Sequence, residues 1–575
     1  MDKAQIAGAL DEIASLLELL GENPFKVRAH RNAARAVETL AGDLAALIAN
    51  KNLTDVRGIG AHIAAKIETL FTTGALPELD QLRARVPRGV LEMLTLPGLG
   101  PKRVKIIWDK LGAATLGELA YACNENRLVA LEGFGAKTQE KILKGIETHK
   151  AYIAKFLYPQ AREAAEALLE RIKKSGAAPR AQIAGSTRRG KEVIGDIDLL
   201  AASTKPEKVM DSFVTAPGVA EILSRGATKS SIRLDSGMQA DLRVVTPDEY
   251  PYALLYFTGG KEHNTAMRQR AKERGLKLNE YGLFKSAARI PCESEEDVFR
   301  ALGLAFIPPE LRENTGEIEL AARGPLPRLV ELSDLKGIFH CHSNYSDGVE
   351  SIETMAREAM ARGYTYLGIS DHSRSAHYAG GLDVDRLKRQ GEEIDRLNAK
   401  LKGITIFKGV ESDILPDGSL DYPPKVLESL DFVVASVHSA FWNDRARMTE
   451  RIIKAVENPC ATMLGHPTGR LLLAREGYPV DMARIIEACA KHGVIMELNA
   501  NPHRLDIDWR EIGAAKAAGV KIAISPDAHR IPGLDHVAYG VMIARKGGLL
   551  KEDIFNTMPV KDVAAELKTR RSRKG

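Results

Sequence analysis

Apolar residues in the first 150 positions recur at helical spacing, while beyond residue 337 short apolar runs of strand character alternate with helical stretches. Seven runs stand out in that second region: GIFHCHS, YLGISDH, ITIFKGVES, FVVASVHS, ATMLGHP, VIMELNA and KIAISPDAH. Near-continuous apolar strands separated by helices predict a parallel α/β barrel. Between the two regions lies a middle section where DIDLL sits on an apolar strand and MQADLRVV is another strand-like segment. The stretch from Pro308 to Leu335, with IPPELRENTG and RGPLPRL, is rich in Pro and Gly and reads as a linker. A chain of 575 residues is in any case too long for one core.

Three related stretches punctuate the helical region: VRGIGAHIAAKI at 56–67, LPGLGPKRVKII at 96–107 and LEGFGAKTQEKI at 131–142. Each sets an apolar residue between two glycines ahead of an amphipathic helix that carries a basic residue. Gly58, Gly60, Gly98, Gly100, Gly133 and Gly135 are expected to make tight turns at helix N-termini, with free N–H groups facing an anion. One such turn is equally an ordinary connection between helices; three in close succession point to DNA. They resemble the helix-hairpin-helix motif, which grips the DNA backbone without reading sequence. The resemblance implies a Na⁺ or K⁺ ion bridging backbone carbonyls and a phosphate.

The middle section carries IAGSTRRGKEVIGDIDLL at 183–200. Residues two apart on a strand face one side, so Asp196 and Asp198 can present paired carboxylates, and Asp241 in MQADLRVV offers a third. Three converging carboxylates suit two Mg²⁺ (or Mn²⁺) ions that activate a 3′-hydroxyl and neutralise pyrophosphate. Gly185, Ser186 and Arg189 are expected to cradle the β and γ phosphates. Asp-x-Asp by itself is usually a solvated strand end. With Gly-Ser and the arginines it matches the nucleotidyltransferase superfamily, and so gives the reaction class without the substrate.

Composition adds less. A net charge of +5 hints at a polyanionic partner, yet basic and acidic residues nearly balance over residues 1–150, so DNA binding there must come from backbone geometry and local patches. The basic tail KTRRSRKG at 568–575 reads equally as a solvated terminus. Five scattered cysteines without a CxxC pair fit reduced thiols, and no apolar run reaches bilayer length, so the expected location is the cytoplasm, with no signal peptide and no membrane contact.

Histidine is more telling, because ten of the 14 follow residue 335. His340, His342, Asp347, His372, Glu411, His438, His466, Asp527 and His529 fall toward the C-terminal ends of the apolar runs or just after them, where barrels keep their chemistry. A single histidine at a strand end is usually structural; six with three carboxylates in register call for metal. The pattern resembles the polymerase and histidinol phosphatase (PHP) domain. That resemblance implies a distorted seven-stranded barrel holding three Zn²⁺ or Mn²⁺ ions. His340, His342, Glu411 and Asp527 would hold one, Glu411, His438 and His466 a second, and Asp347, His372 and His529 the third. His377, His492, His503 and His536 have no place in that scheme; His503 and Arg504 could reach a substrate phosphate, with surface residues the plainer reading.

YFTGGKEHNTAMRQRAKERGLKLNEYGLF at 256–284, followed by VFRALGLAFIPPELRE, is similar to the nucleotide-selecting region of family X (DNA polymerase beta-like) enzymes. By that resemblance Tyr256, Phe257 and Gly259 belong to a turn that excludes a 2′-hydroxyl, Asn264 contacts the incoming base, and Arg268 senses the template. The chain departs from the family at Gly260 and Lys261. Lys66 falls on the Schiff-base lysine of the 5′-deoxyribose-phosphate lyase, with His62 and His30 in place of a lysine and a tyrosine; a solvated helix lysine is the plainer reading. Lys26 is expected to bind a 5′-phosphate.

The two resemblances imply a multidomain chain. An all-α helix-hairpin-helix region comprises a lyase-like part, 1–85, and a fingers-type part, 86–155. An α+β nucleotidyltransferase palm, 156–250, and a thumb, 251–315, follow, and a linker, 316–335, leads to an α/β distorted (β/α)7 PHP barrel, 336–575. The implied function is a monomeric DNA polymerase that takes dNTPs and gapped or nicked DNA with a 5′-phosphate, fills short gaps, and processes 3′ ends as exonuclease, phosphatase or abasic endonuclease. The rivals are a non-DNA nucleotidyltransferase fused to a small-molecule phosphatase, which the hairpins and YFTG oppose, and a catalytically relic DNA-binding scaffold, which the full ligand set opposes.

Overall fold

The computed structural model describes residues 1–575 except 41–43, 115, 117–118, 120–121, 124–127, 129–130, 132, 153–154, 442–443, 474–475 and 573–575, so the end of the basic tail and Glu132 of the third hairpin lie outside the described residues. The chain divides into two compact units, Met1–Ile153 and Ala154–Gly575. Among the described residues no helix is long and apolar enough to cross a membrane.

The first unit is helical. Lys3–Leu19 starts at an Asp2/Gln5 capping box, and Pro24–Glu38 starts at Asn23 with proline in the first turn. Their apolar stripes, including Ile6, Leu10, Ile13, Val27 and Val37, join residues of the later helices in one core. The three glycine hairpins lead into the helices Ala61–Thr73, Pro101–Leu111 and Ala136–Tyr152.

Early in the second unit, helix Tyr158–Lys174 packs its buried face in one core with a five-stranded sheet: β1 (Arg180–Ile183), β2 (Asp196–Ala202), β3 (Val219–Arg225), β4 (Lys229–Leu234) and β5 (Gln239–Val245), in the order β1-β2-β5-β4-β3. Only β2 and β5 are parallel. Helices Tyr250–Thr258 and Lys261–Glu273 and the small sheet β6 (Lys277–Asn279), β7 (Gly282–Lys285) and β8 (Ala288–Arg289) follow. The next sheet is wholly parallel and in sequence order: β9 (Gly337–Cys341), β10 (Tyr366–Ile369), β11 (Thr405–Asp413), β12 (Phe432–Ser436), β13 (Met463–Leu464), β14 (Ile495–Asn499) and β15 (Ile522–Ser525). It closes where Cys341 pairs with Ala528 and His342 N–H donates to the Ala528 carbonyl at 2.9 Å. All seven expected runs are strands of a nearly closed barrel. Phe339, Tyr366, Phe407, Phe432 and Phe555 pack together in it, and Gly368 and Gly409 leave the room: a Cβ would meet Phe339 at 2.4 Å and Phe432 at 2.3 Å.

The Pro/Gly-rich stretch 308–335 is not a loose linker. It holds helix Glu317–Arg323, and Val330 N–H donates to Leu549 O at 3.0 Å. Arg312 is buried on Glu295 at 2.6 Å and Glu317 on His263 at 2.6 Å. Composition signalled turns, but the charged side chains between them find buried partners, and that anchors the segment.

Candidate active sites

In the sheet β1–β5, Asp196 and Asp198 flank the buried Ile197 and so share a face, and the parallel register sets Asp198 beside Asp241. Gly185, at φ +58°, lies two residues past the end of β1, and a Cβ there would sit 2.0 Å from Asp198 Oδ2. Burial, then the charges of Asp196 and Asp241, push the Asp198 carboxyl up to about 7. Burial and Asp241 likewise raise Asp196. Burial would raise Asp241 too, but hydrogen bonds from Lys229 (Nζ at 2.6 Å), Gln239 and Ser231 hold it below the usual range. An all-oxygen set whose like charges destabilise one another fits hard divalent cations.

The two arginines after Ser186 turn toward the next domain. Arg188 donates to Glu295 at 2.6 Å and to Thr258 Oγ1 at 2.6 Å. Arg189 is buried, with Nε 3.0 Å from Glu313 and Nη1 2.7 Å from the Thr258 carbonyl. Tyr256 and Phe257 form the last turn of their helix and pack edge to face at 5.2 Å, with Arg243 over Phe257. Gly259 ends the helix, and a Cβ there would meet Asn264 Oδ1 at 2.6 Å; Asn264 itself donates to the Tyr256 carbonyl at 2.6 Å. Arg268 is exposed one turn on. The expected turn is thus a helix-to-helix break at Gly259–Gly260, and it brings Tyr256 and Asn264 together.

In the first unit the three hairpins share one geometry. Gly58, Gly98 and Gly133 have φ of +100°, +84° and +83°. Ile59, Leu99 and Phe134 are buried, and Gly60, Gly100 and Gly135 stand at the helix starts with open space where a Cβ would go. First-turn N–H groups have no partner inside a helix, which leaves them for an anion. Lys66 corrects the plainer expectation: it is not solvated. It is buried, with Nζ 2.6 Å from Glu78 and 2.9 Å from His30 Nε2. His30 Nδ1–H donates to the Lys26 carbonyl at 2.7 Å, so Nε2 is the acceptor; burial, reinforced by Lys66, holds the ring below its ordinary value. His62, Lys26, Glu22 and Arg85 line the same pocket.

The barrel brings its nine expected donors to one end. His340, His342 and Asp527 form one close group, His372, Glu411 and His438 a second, and His342, Asp347, His372 and His529 a third. Glu411 joins them: its oxygens lie 3.3 Å from His340 Nε2, 2.9 Å from His372 Nδ1, 3.2 Å from His438 Nε2 and 3.0 Å from His466 Nε2. These groups differ from the sets the resemblance implied: His372 rather than His466 closes on Glu411 and His438, His342 joins Asp347, His372 and His529, and His342 and His372 each stand in two groups. A divalent ion with bonds of about 2.1 Å sets its ligand atoms roughly 3.0–3.4 Å apart, and the donor atoms here lie 2.9–3.7 Å from one another. His340 Nε2, both nitrogens of His342 and Glu411 Oε2 are buried without a hydrogen bond. Burial, with His529 and His372 nearby, pushes His342 down to about 3, so its ring is neutral and its lone pair available. The donor set fits borderline divalent ions. Three of the donors, His340, His466 and Asp527, have φ of +59°, +22° and +52°, a backbone conformation that L residues rarely adopt.

Carboxylates missed in the sequence orient these rings. Glu497 on β14 is buried; it accepts from His340 Nδ1 and from the His466 N–H at 2.7 Å. Asp413 accepts from His438 Nδ1 at 2.6 Å. Each fixes the ring so that Nε2 faces the donors. Buried Asp371 binds Ser343, Ser346 and Gln390, tying down the loop that bears Asp347. An acidic residue inside an apolar run, as in VIMELNA, was the available signal. Arg504 is no plain surface residue, since its Nε lies 3.6 Å from Asp527 and its side chain is mostly buried.

Residues 1–76 match the helix-hairpin-helix domain family, 90–148 a SAM-like helix-hairpin-helix tandem, 253–313 the DNA polymerase beta thumb and 339–501 the PHP domain. The chain is 38% identical over 572 residues to the DNA polymerase/3′–5′ exonuclease PolX of Bacillus subtilis (strain 168), covering 99% of this chain and 100% of that protein. A probable phosphatase of Caldanaerobacter subterraneus subsp. tengcongensis is 29% identical over 236 residues, 38% of this chain and 85% of its own length. One from Thermoanaerobacter sp. (strain X514) is 30% identical over 235 residues, with 38% and 89% covered.

Proposed function

The chain belongs to the family X DNA polymerases that carry a C-terminal PHP domain, and we propose on that footing that it fills short gaps during DNA repair and processes 3′ ends in its barrel. It is a DNA polymerase and a metal-dependent phosphoesterase with 3′–5′ exonuclease activity. One observation supports the polymerase reading above the others: parallel pairing sets Asp198 beside Asp241, with Gly185 in contact behind Asp198.

In this reading Asp196, Asp198 and Asp241 hold two Mg²⁺ or Mn²⁺ ions, and the nine barrel donors hold three Zn²⁺ or Mn²⁺ ions. When bound, such ions acidify the attacking oxygen and absorb the charge that builds on phosphate oxygens. The chain's own groups do the positioning. Backbone N–H groups at Gly185 and Ser186, the Ser186 hydroxyl and Arg189 hold the nucleotide phosphates. Tyr256, Phe257 and Gly259 press on the sugar, Asn264 meets the base edge and Arg268 the template side. Glu497 and Asp413 keep His340 and His438 with Nε2 inward. In the first unit Gly58, Gly60, Gly98, Gly100, Gly133 and Gly135 hold DNA phosphates, with Na⁺ or K⁺ at the turns, and Lys26 takes the 5′-phosphate of a gap. The enzyme acts as a monomer in the cytoplasm.

A gapped duplex with a 5′-phosphate, offered with and without dNTPs in Mg²⁺ and in Mn²⁺, tests the reading. The wild type is expected to extend and to degrade. D198A should only degrade and H438A only extend. Extension by D198A at the wild-type rate would refute the palm assignment.

A further inference from the structure

The phosphate loop of the palm is not held by the palm alone. Gly190 lies so close to barrel helix Val537–Lys546 that a Cβ there would sit 2.6 Å from Met542 Cγ. Lys546, the last residue of that helix, is completely buried, with its ammonium 4.8 Å above the Trp509 ring. It donates to the Arg189 carbonyl at 3.1 Å and pairs with Glu313 Oε1 at 2.6 Å. The same Oε1 accepts from Arg189 Nε at 3.0 Å, while Lys191 stands 3.7 Å from Oε2. One buried carboxylate, from the segment that joins the two catalytic domains, is therefore divided between a palm arginine and a barrel lysine.

We propose that Lys546 is a positioning residue for the polymerase: by sharing Glu313 with Arg189, the barrel sets how readily Arg189 turns to the phosphates of an incoming nucleotide. This rests on the reading of Arg189 as a phosphate ligand. The physics is competition. A buried carboxylate stripped of its close cations is costly, so Glu313 resists losing its last one. With Lys546 in place, Glu313 keeps a direct partner when Arg189 leaves. Without Lys546, Arg189 becomes that partner and nucleotide binding has to pull it away. Among the described residues none of the polar or ring contacts of Lys546 is a barrel donor, so the hydrolytic site need not feel the change.

Single-nucleotide insertion into a gapped duplex, measured on the full chain, separates KM for the dNTP from kcat; exonuclease rate and Tm are read alongside. K546M is expected to raise KM about tenfold, the weight of one charge-assisted hydrogen bond, with kcat and exonuclease rate within about twofold of wild type. Adding E313Q should remove most of that rise, because no charge is left to hold Arg189. E313Q alone should lower KM, which keeps the idea testable if K546M does not fold. An unchanged KM in K546M overturns the proposal, and so does a loss shared by kcat, exonuclease rate and Tm that E313Q does not relieve. R189K separates the two levels. If it raises KM while K546M does not, the inference alone fails; if R189K leaves KM unaltered, the phosphate role of Arg189 falls and takes the inference with it.

Discussion

Replacing Gly185 by alanine should cripple the polymerase and spare the nuclease. The new methyl carbon would lie 2.0 Å from Asp198 Oδ2 and 2.8 Å from its Cγ, whereas carbon and oxygen rarely approach within 3.0 Å. Asp198 must therefore retreat by roughly 1 Å, a displacement that can cost about 100-fold in rate when it falls on a reacting group. The backbone at φ +58° adds about 1–2 kcal/mol of strain for any residue with a Cβ. Gly176 separates the two effects, since it has φ +66° but open space around the added carbon. Single-turnover insertion on gapped DNA should fall about 100-fold in G185A and stay unchanged in G176A, while 3′ degradation persists in both. A G185A enzyme inserting within about threefold of wild type would refute the contact argument; an equal loss in G176A would reduce it to backbone strain.

In the barrel, H340A should abolish degradation and lower bound transition metal, whereas E497Q should weaken metal binding by about 10–100-fold and leave polymerisation intact; elemental analysis and metal titration check both, and full metal content in H340A would count against the donor set. Y256A should raise ribonucleotide incorporation, read as the ratio of kcat/KM for rNTP and dNTP, and an unchanged ratio would move the steric gate elsewhere. Borohydride reduction with a 5′-deoxyribose-phosphate substrate should trap an adduct on Lys66, in greater yield in E78Q because the Glu78 carboxylate, 2.6 Å from Nζ, no longer ties the side chain up in an ion pair; an equal yield in K66A would remove Lys66 from the chemistry.

Much of this molecule was legible as sequence because its signals are local. A strand announces itself by a short apolar run, a glycine turn by its spacing, and a donor by its position at the end of a run. Hence all seven barrel strands, the three hairpins and the Asp-x-Asp strand could be marked before any fold was known. Pairing was not legible. Glu497 orients His340 from 157 residues away, through barrel closure that no local pattern encodes. His342 and His372 stand between donor groups because each ring offers two nitrogens, and only the packed loops decide which neighbours they face. For Lys66 the sequence left the lyase position and a solvated helix lysine both open, and only the packing of Glu78 and His30 over it removed the solvated reading. The same holds for the supposed linker. Pro and Gly report where a chain turns, but whether the turning segment floats or is pinned depends on partners such as Glu295 and Lys546, which become its neighbours only when the domains pack.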